Sequence, residues 1–196
     1  METIQNIDNS ILYWINCHHS PTLDFIMWWL SDTWIWIPLY LTVFYVLYIK
    51  TGKNVLLFVL LIAFLILISD QLASTVFKNY FLRLRPSHNP LIQTHLRYLN
   101  DYRGGQYGFI SSHAINTFSF VFFLLFTMGK QIKGLLLLLF LWAMAVAYSR
   151  IYLGVHFPTD ILVPFLLSIP LAWSMSKLYF YVLKKKETKN RNLNRI

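Results

Sequence analysis

Residues 55–77 read VLLFVLLIAFLILISDQLASTVF. One charged residue, Asp70, interrupts an otherwise apolar run. A bilayer hydrocarbon core about 30 Å thick takes about 20 apolar residues in a helix. The stretch meets that length, so it predicts a membrane-spanning helix. Working outward, four further runs pass the same test: Trp34 to Ile49, Phe109 to Met128, Ile132 to Tyr148, and Asp160 to Leu183. The first is slightly short, and Trp28, Trp29, Trp34 and Trp36 hold its outer end at the interface. The expected fold is therefore all-α: a polytopic membrane bundle of five transmembrane helices, preceded by an N-terminal amphipathic or sixth helix. Residues 1–32 form that N-terminal segment, 33–183 the membrane domain, and 184–196 a basic cytoplasmic tail.

The N-terminal segment divides at Pro21. Ile4, Ile7, Ile11, Leu12 and Ile15 recur at helical spacing, which predicts an amphipathic helix lying on the membrane. Asp24 to Leu30 is a second short apolar piece. A span from Ile11 to Leu30 is the alternative. It would bury His18, His19, Pro21 and Asp24 in lipid at considerable cost, so the interfacial reading is preferred. The acids Glu2 and Asp8 and the lack of a basic n-region argue against a cleavable signal peptide.

Composition agrees with a membrane protein. Of the 196 residues 57% are hydrophobic and only 13% charged, with a mean hydropathy of +0.50. A soluble domain carries about 25% charged residues. The net charge of +9 does not indicate a nucleic-acid partner, because most Lys and Arg sit in short clusters between apolar runs. The single cysteine, Cys17, excludes an intrachain disulfide.

Charge also sets the orientation. With Lys50 and Lys53 inside, alternating spans put Lys130, Lys133 and the tail (Lys184, Lys185, Lys186, Lys189, Arg191, Arg195) on the same side. The expected location is the inner membrane, with the opposite face periplasmic or extracellular. That outer face receives two polar segments, 78–107 and 149–159. It also receives Lys78, Arg83, Arg85, Arg97, Arg103 and Arg150 against the orientation rule, and binding an anion is the simplest reason for them.

Three clusters on that face carry chemistry. In Lys78-Asn-Tyr-Phe-Leu-Arg-Leu-Arg85-Pro86, Arg offers a planar fork to phosphate oxygens and Lys a compact charge. Alone, the cluster also reads as a basic collar at a helix end. In Ser111-Ser112-His113, either Ser caps the third span, or the turn grips phosphate oxygens at a helix N-terminus and sets an imidazole beside them. In Ser149-Arg150-Ile-Tyr-Leu-Gly-Val-His156-Phe-Pro158-Thr-Asp160, Asp160 either complements the helix dipole or orients the His156 imidazole. Together they supply cations, two histidines, a carboxylate and a helix N-terminus. That inventory suits phosphoryl transfer through a phosphohistidine, with no acidic cluster for a divalent metal and no cofactor.

In order and spacing, Lys-x6-Arg-Pro, Ser-x-His and Ser-Arg-x5-His-x3-Asp, running from Lys78 to Asp160, resemble the type 2 phosphatidic acid phosphatase superfamily. That superfamily also includes vanadium haloperoxidases and bacterial membrane lipid phosphatases. The resemblance implies that Lys78, Arg85 and Arg150 bind phosphate, helped by Ser111 and the backbone of Ser112. It implies that His156 attacks phosphorus, oriented by Asp160, while His113 protonates the leaving oxygen and later activates water. The implied activity is metal-independent hydrolysis of a membrane lipid phosphate monoester or pyrophosphate, with undecaprenyl pyrophosphate and lipid A favoured. A lipid phosphotransferase and an inactive phospholipid binder are the rivals. The family's usual Pro-Ser-Gly-His reads Ile110-Ser111-Ser112-His113 here, which removes rigidity and a small residue beside the phosphate.

Three features lie outside the motifs. Asp70 is expected to hydrogen-bond within the bundle, with Ser69 as a neighbouring partner. The long 87–107 loop, carrying His88, His95, Arg97, Asp101, Tyr102 and Arg103, is expected to cover a headgroup rather than hold zinc. Arg83 falls between the motif positions and is expected to tolerate replacement by Lys.

Overall fold

In a computed structural model, the 55–77 run opens a helix at Val55 but does not keep one geometry throughout. The structure describes residues 2–193. Two short helices come first, α1 (Glu2–Cys17) and α2 (Pro21–Ser31). Residues 18–20 separate them. Ser20 caps α2 by accepting from the Leu23 N–H, and Pro21 supplies the first turn. The 11–30 stretch is thus two helices, not one span. α3 (Ile37–Thr51) ends at Gly52, whose φ of 54° is a backbone conformation that glycine adopts without steric cost. α4 (Val55–Gln71) then runs back. Over Leu72–Phe77 its turns widen to the i→i+5 pattern before α5 (Lys78–Phe81). The extra residue per turn rotates every later position about the axis and so helps set where Lys78 points.

α6 (Ser112–Met128), α7 (Lys133–Tyr152) and α8 (Thr159–Leu193) complete the bundle. Three helical stretches are long and apolar enough to cross a membrane: Trp34–Phe81, which the Gly52 turn divides, Lys133–Tyr152 and Thr159–Lys189; α6 is a shorter apolar helix. α3, α4, α6, α7 and α8 correspond to the expected runs, and no β-strand occurs among the described residues. Two boundaries differ from the sequence reading. α7 continues through Ser149 and Arg150, so Arg150 lies on its last turn rather than in a loop. α8 continues into the basic tail without a break at Leu183.

α6 is the central helix. It packs most extensively on α8 and also on α7 and α4. Phe58, Leu65, Phe118, Phe123 and Leu139 fill the core, while Ala114, Ala143 and Ala172 let backbones approach. Leu41, Phe44, Leu60, Phe64, Leu138 and Leu166 point outward, as lipid-facing residues do. Ser69 donates to Ser119 across α4 and α6 at 3.2 Å, so Asp70 does not use it; Asp70 instead lines an open cavity between helices.

α1 presents two faces. Asp8, Leu12, Ile15 and Asn16 are buried against the protein, whereas Ile4, Ile7, Ile11 and Trp14 are exposed. The apolar set read from the sequence therefore splits. Leu12 and Ile15 join the core cluster containing Tyr152, Leu153 and Phe157, and the isoleucines remain outside.

Candidate active site

The end of α4–α5, the starts of α6 and α8 and the end of α7 meet at one end of the bundle, and the sequence clusters meet with them. Ser111 is the N-cap of α6. Its backbone is extended, and its buried hydroxyl accepts from the Ala114 N–H. The Ser111 N–H donates to the Asp160 carbonyl at 2.9 Å, which ties the starts of α6 and α8 together. Ser112, in the first turn, accepts a 3.0 Å hydrogen bond from Lys78 Nζ. The hydroxyl that replaces the small residue of the family pattern thus holds the lysine.

His156 sits in the tight connection after α7, 1% exposed. Its Nδ1 lies 3.4 Å from Asp160 Oδ2, which also accepts from the Phe157 N–H at 3.0 Å. Asp160 is fully buried in the first turn of α8. Burial holds the His156 pKa well below its ordinary value, and the nearby Arg85 and Arg150 charges push it the same way, with His113 and Lys78 adding to them. Both effects favour the neutral imidazole. With Nδ1 turned to the carboxylate, Nε2 keeps the free lone pair that a nucleophile needs.

The arginines complete the site. Arg85 Nε donates to the Tyr107 carbonyl at 3.2 Å, and Arg150 Nη2 donates to the Tyr102 hydroxyl at 2.9 Å. Arg150 Nη1 also donates to Ser31 at the end of α2. Arg85 Nη1 and Arg150 Nε are buried and have no partner among the described residues. A buried guanidinium nitrogen without an acceptor is costly, and phosphate oxygens are its natural acceptors. Burial lowers the Arg85 pKa, as does repulsion from Arg150.

The 87–107 loop folds over these cations. A bridge pairs Leu84 with Tyr107 at its base. At Gly104, φ 67°, a Cβ would lie 2.5 Å from Arg85 Nη1, so a larger residue there would strain the backbone and displace the guanidinium. Arg97 makes a two-pronged ion pair with Asp24, and the Tyr152 hydroxyl donates to the same carboxylate at 2.6 Å. The hydrogen bonds from Arg97 hold Asp24 below the usual carboxylate range. A cavity of about 600 Å³ opens beside Ser112 and His113 and runs between α3, α4, α6 and α7, lined chiefly by apolar residues such as Val43, Ile62, Ile66 and Val146.

The sequence reading assigned no partners to two residues at this end. Arg83 Nη1 donates to Asp160 Oδ1 at 2.8 Å and to Thr159 Oγ1 at 2.7 Å, while Nη2 donates to Asp8 Oδ2 at 2.6 Å. Asp8, 1% exposed, also accepts from the Thr159 N–H at 3.0 Å. The available signal was its spacing, since Asp8 precedes Leu12 by four residues and Ile15 by seven and so shares their helix face.

Comparison with known proteins agrees. Residues 55–184 match the PAP2 superfamily. The chain is 34% identical over 184 residues to a lipid A 4'-phosphatase of Porphyromonas gingivalis, covering 92% of this chain and 76% of that protein. It is 35% identical over 165 residues to a lipid A 4'-phosphatase of Bacteroides thetaiotaomicron, covering 82% and 72%. Among solved structures, a PAP2-type phosphatidylglycerolphosphate phosphatase from Bacillus subtilis aligns with a TM-score of 0.64 at 23% identity, over 92% of this chain and 88% of that one. Aquifex aeolicus LpxE aligns with a TM-score of 0.62 at 24% identity, over 86% and 93%. These two likenesses are of fold. The family assignment rests on the matched 55–184 segment and the curated relatives: the chain belongs to the PAP2 superfamily as a membrane lipid phosphatase.

Proposed function

We propose that the protein hydrolyses the 4'-phosphate monoester of lipid A at the outer face of the membrane, through a phosphohistidine on His156. The observation that carries the chemistry is the pair of buried, unpartnered guanidinium nitrogens, Arg85 Nη1 and Arg150 Nε, beside a neutral histidine paired with a carboxylate. The two relatives named as lipid A 4'-phosphatases favour this monoester over undecaprenyl pyrophosphate.

Lys78, Arg85, Arg150 and the N–H groups at the start of α6, with Ser111 as its cap and Ser112 holding Lys78, bind the phosphate. Nε2 of His156 attacks phosphorus, and the bond to the lipid oxygen breaks. The phosphate, once bound among the cations, offsets their charge and lets His113, in the first turn of α6, carry the proton that the leaving alkoxide takes up. His113, now neutral, accepts a proton from water as that water attacks the phosphohistidine. The N–P bond breaks, and inorganic phosphate and free His156 result. Asp160 holds the Nδ1 proton of His156 throughout. The cations supply the charge stabilisation that the transition state needs. The cavity beside His113 takes an acyl chain of the same lipid.

The test is phosphate release by purified protein from lipid A, undecaprenyl pyrophosphate and phosphatidylglycerol phosphate in mixed micelles. Fastest turnover of lipid A is expected, with an acid-labile phosphoenzyme trapped by rapid quenching. His156→Ala should release no phosphate and form no phosphoenzyme while remaining folded in detergent. Turnover by His156→Ala would overturn the mechanism, and preference for either other lipid would overturn the substrate.

A further inference from the structure

Asp160 has two carboxylate oxygens with different work. Oδ2 faces His156 Nδ1 and the Phe157 N–H. Oδ1 is taken by Arg83 Nη1. A carboxylate held at one oxygen alone can swing about its last side-chain bond, and the swing would carry Oδ2 away from the imidazole. Held at both, it fixes the imidazole's direction as well.

Arg83 is itself held. Asp8 takes its second nitrogen, Thr159 shares its first, and its guanidinium lies 4.2 Å from the centre of the Phe157 ring. Asp8 is 1% exposed and also accepts from the backbone and the hydroxyl of Thr159, the residue before Asp160. The side-chain contacts thus form a continuous chain: Asp8, Arg83, Asp160, His156. Every Arg83 contact above goes to a carboxylate, a hydroxyl or a ring of this network. Arg85 and Arg150 each keep a buried nitrogen without a partner. The guanidiniums divide accordingly, two toward a substrate and one toward the carboxylate behind the nucleophile.

We propose that Arg83 and Asp8 are positioning residues for the His156–Asp160 pair, so that α1, which lies outside the 55–184 family match, is part of the catalytic apparatus. The proposal rests on the phosphohistidine reading above. Asp8 sits on the buried face of α1, opposite the exposed Ile4, Ile7 and Ile11. The helix that carries these exposed isoleucines therefore also sets the carboxylate's rotation.

The test compares Arg83→Met, Arg83→Lys, Asp8→Asn and the Asp8→Asn/Arg83→Met double variant, assayed on lipid A in mixed micelles. A lost positioning contact acts on the chemical step, so Arg83→Met should lower kcat about 100-fold with KM within about threefold of wild type. Asp8→Asn should lower kcat about tenfold, and the double variant should be no worse than Arg83→Met, because coupled residues do not add. Arg83→Lys should fall between, since one ammonium cannot span both carboxylates with fixed forks. Inhibition by inorganic phosphate should be unchanged in all four. A kcat for Arg83→Met within about twofold of wild type, weakened phosphate inhibition, or losses that multiply in the double variant would each overturn the proposal. If Arg83→Met does not fold, Arg83→Lys and Asp8→Asn decide by the same split between kcat and KM. His156→Ala separates the two readings. An inert His156→Ala beside a fully active Arg83→Met removes the positioning role alone, whereas an active His156→Ala removes the phosphohistidine.

Discussion

Arg85 and Arg150 each spend some donors on the protein and keep a buried one without a partner among the described residues. An ammonium has no fork with which to do both, so Arg85→Lys and Arg150→Lys should each lower kcat on lipid A about 100-fold, with a smaller change in KM. Steady-state kinetics of the two variants beside wild type check this, and losses under about threefold would remove them as phosphate ligands. If, as proposed, they and Lys78 supply the positive charge that a metal supplies elsewhere, turnover should persist in excess EDTA. Abolition by EDTA with restoration by magnesium or zinc would contradict that role. The motif residues were legible in the sequence because three clusters, each ambiguous alone, fall on one face in an order that resembles a known family; His156 and Asp160, four apart, lie 3.4 Å from each other. Arg83 was not legible. Its partner Asp8 is 75 residues away and has no motif of its own, and only the folded chain brings the pair together.

The helices show a similar division. Apolar length found α3, α4, α6, α7 and α8, since the bilayer dictates that length whatever the packing. Periodicity could not find the widened turns over Leu72–Phe77, which depend on local hydrogen bonding such as Ser74 Oγ to the Asp70 carbonyl at 2.6 Å. Nor could it divide α1 into two faces, because both carry isoleucine. The cavity between α3, α4, α6 and α7 exists only where those helices part. Ala63 on α4 and Val146 on α7 line it. A large side chain at Ala63 would occupy volume assigned to the acyl chain. Burial of a methylene contributes about 0.8 kcal/mol, so displacing two or three of them should raise KM for lipid A by about tenfold or more in Ala63→Trp. Hydrolysis of para-nitrophenyl phosphate, which has no tail, should change little. Equal losses on both substrates would mean that the cavity does not hold the lipid.

At the scale of the whole molecule the two ends of the bundle differ in kind. One end gathers Lys78, Arg83, Arg85 and Arg150 around the histidines and carboxylates, under a folded loop. The other holds the short turns at Gly52–Asn54 and Gly129–Ile132, with Lys50, Lys53, Lys130 and Lys133 beside them. Lysines in short connections mark the cytoplasmic side, whereas the cations at the other end are engaged with carboxylates, hydroxyls and a carbonyl. The catalytic end should therefore face away from the cytoplasm, where an outer-leaflet lipid reaches it. Cysteine labelling in intact cells checks this directly. Cys17 is exposed and must first be replaced, by Cys17→Ser. In that background Leu91→Cys tests the catalytic end, since Leu91 is 82% exposed in the covering loop. Gln131→Cys tests the exposed turn between α6 and α7. A membrane-impermeant maleimide should modify Leu91→Cys in intact cells and Gln131→Cys only after permeabilisation. The opposite pattern would invert the topology and place the hydrolysed phosphate on the cytoplasmic leaflet.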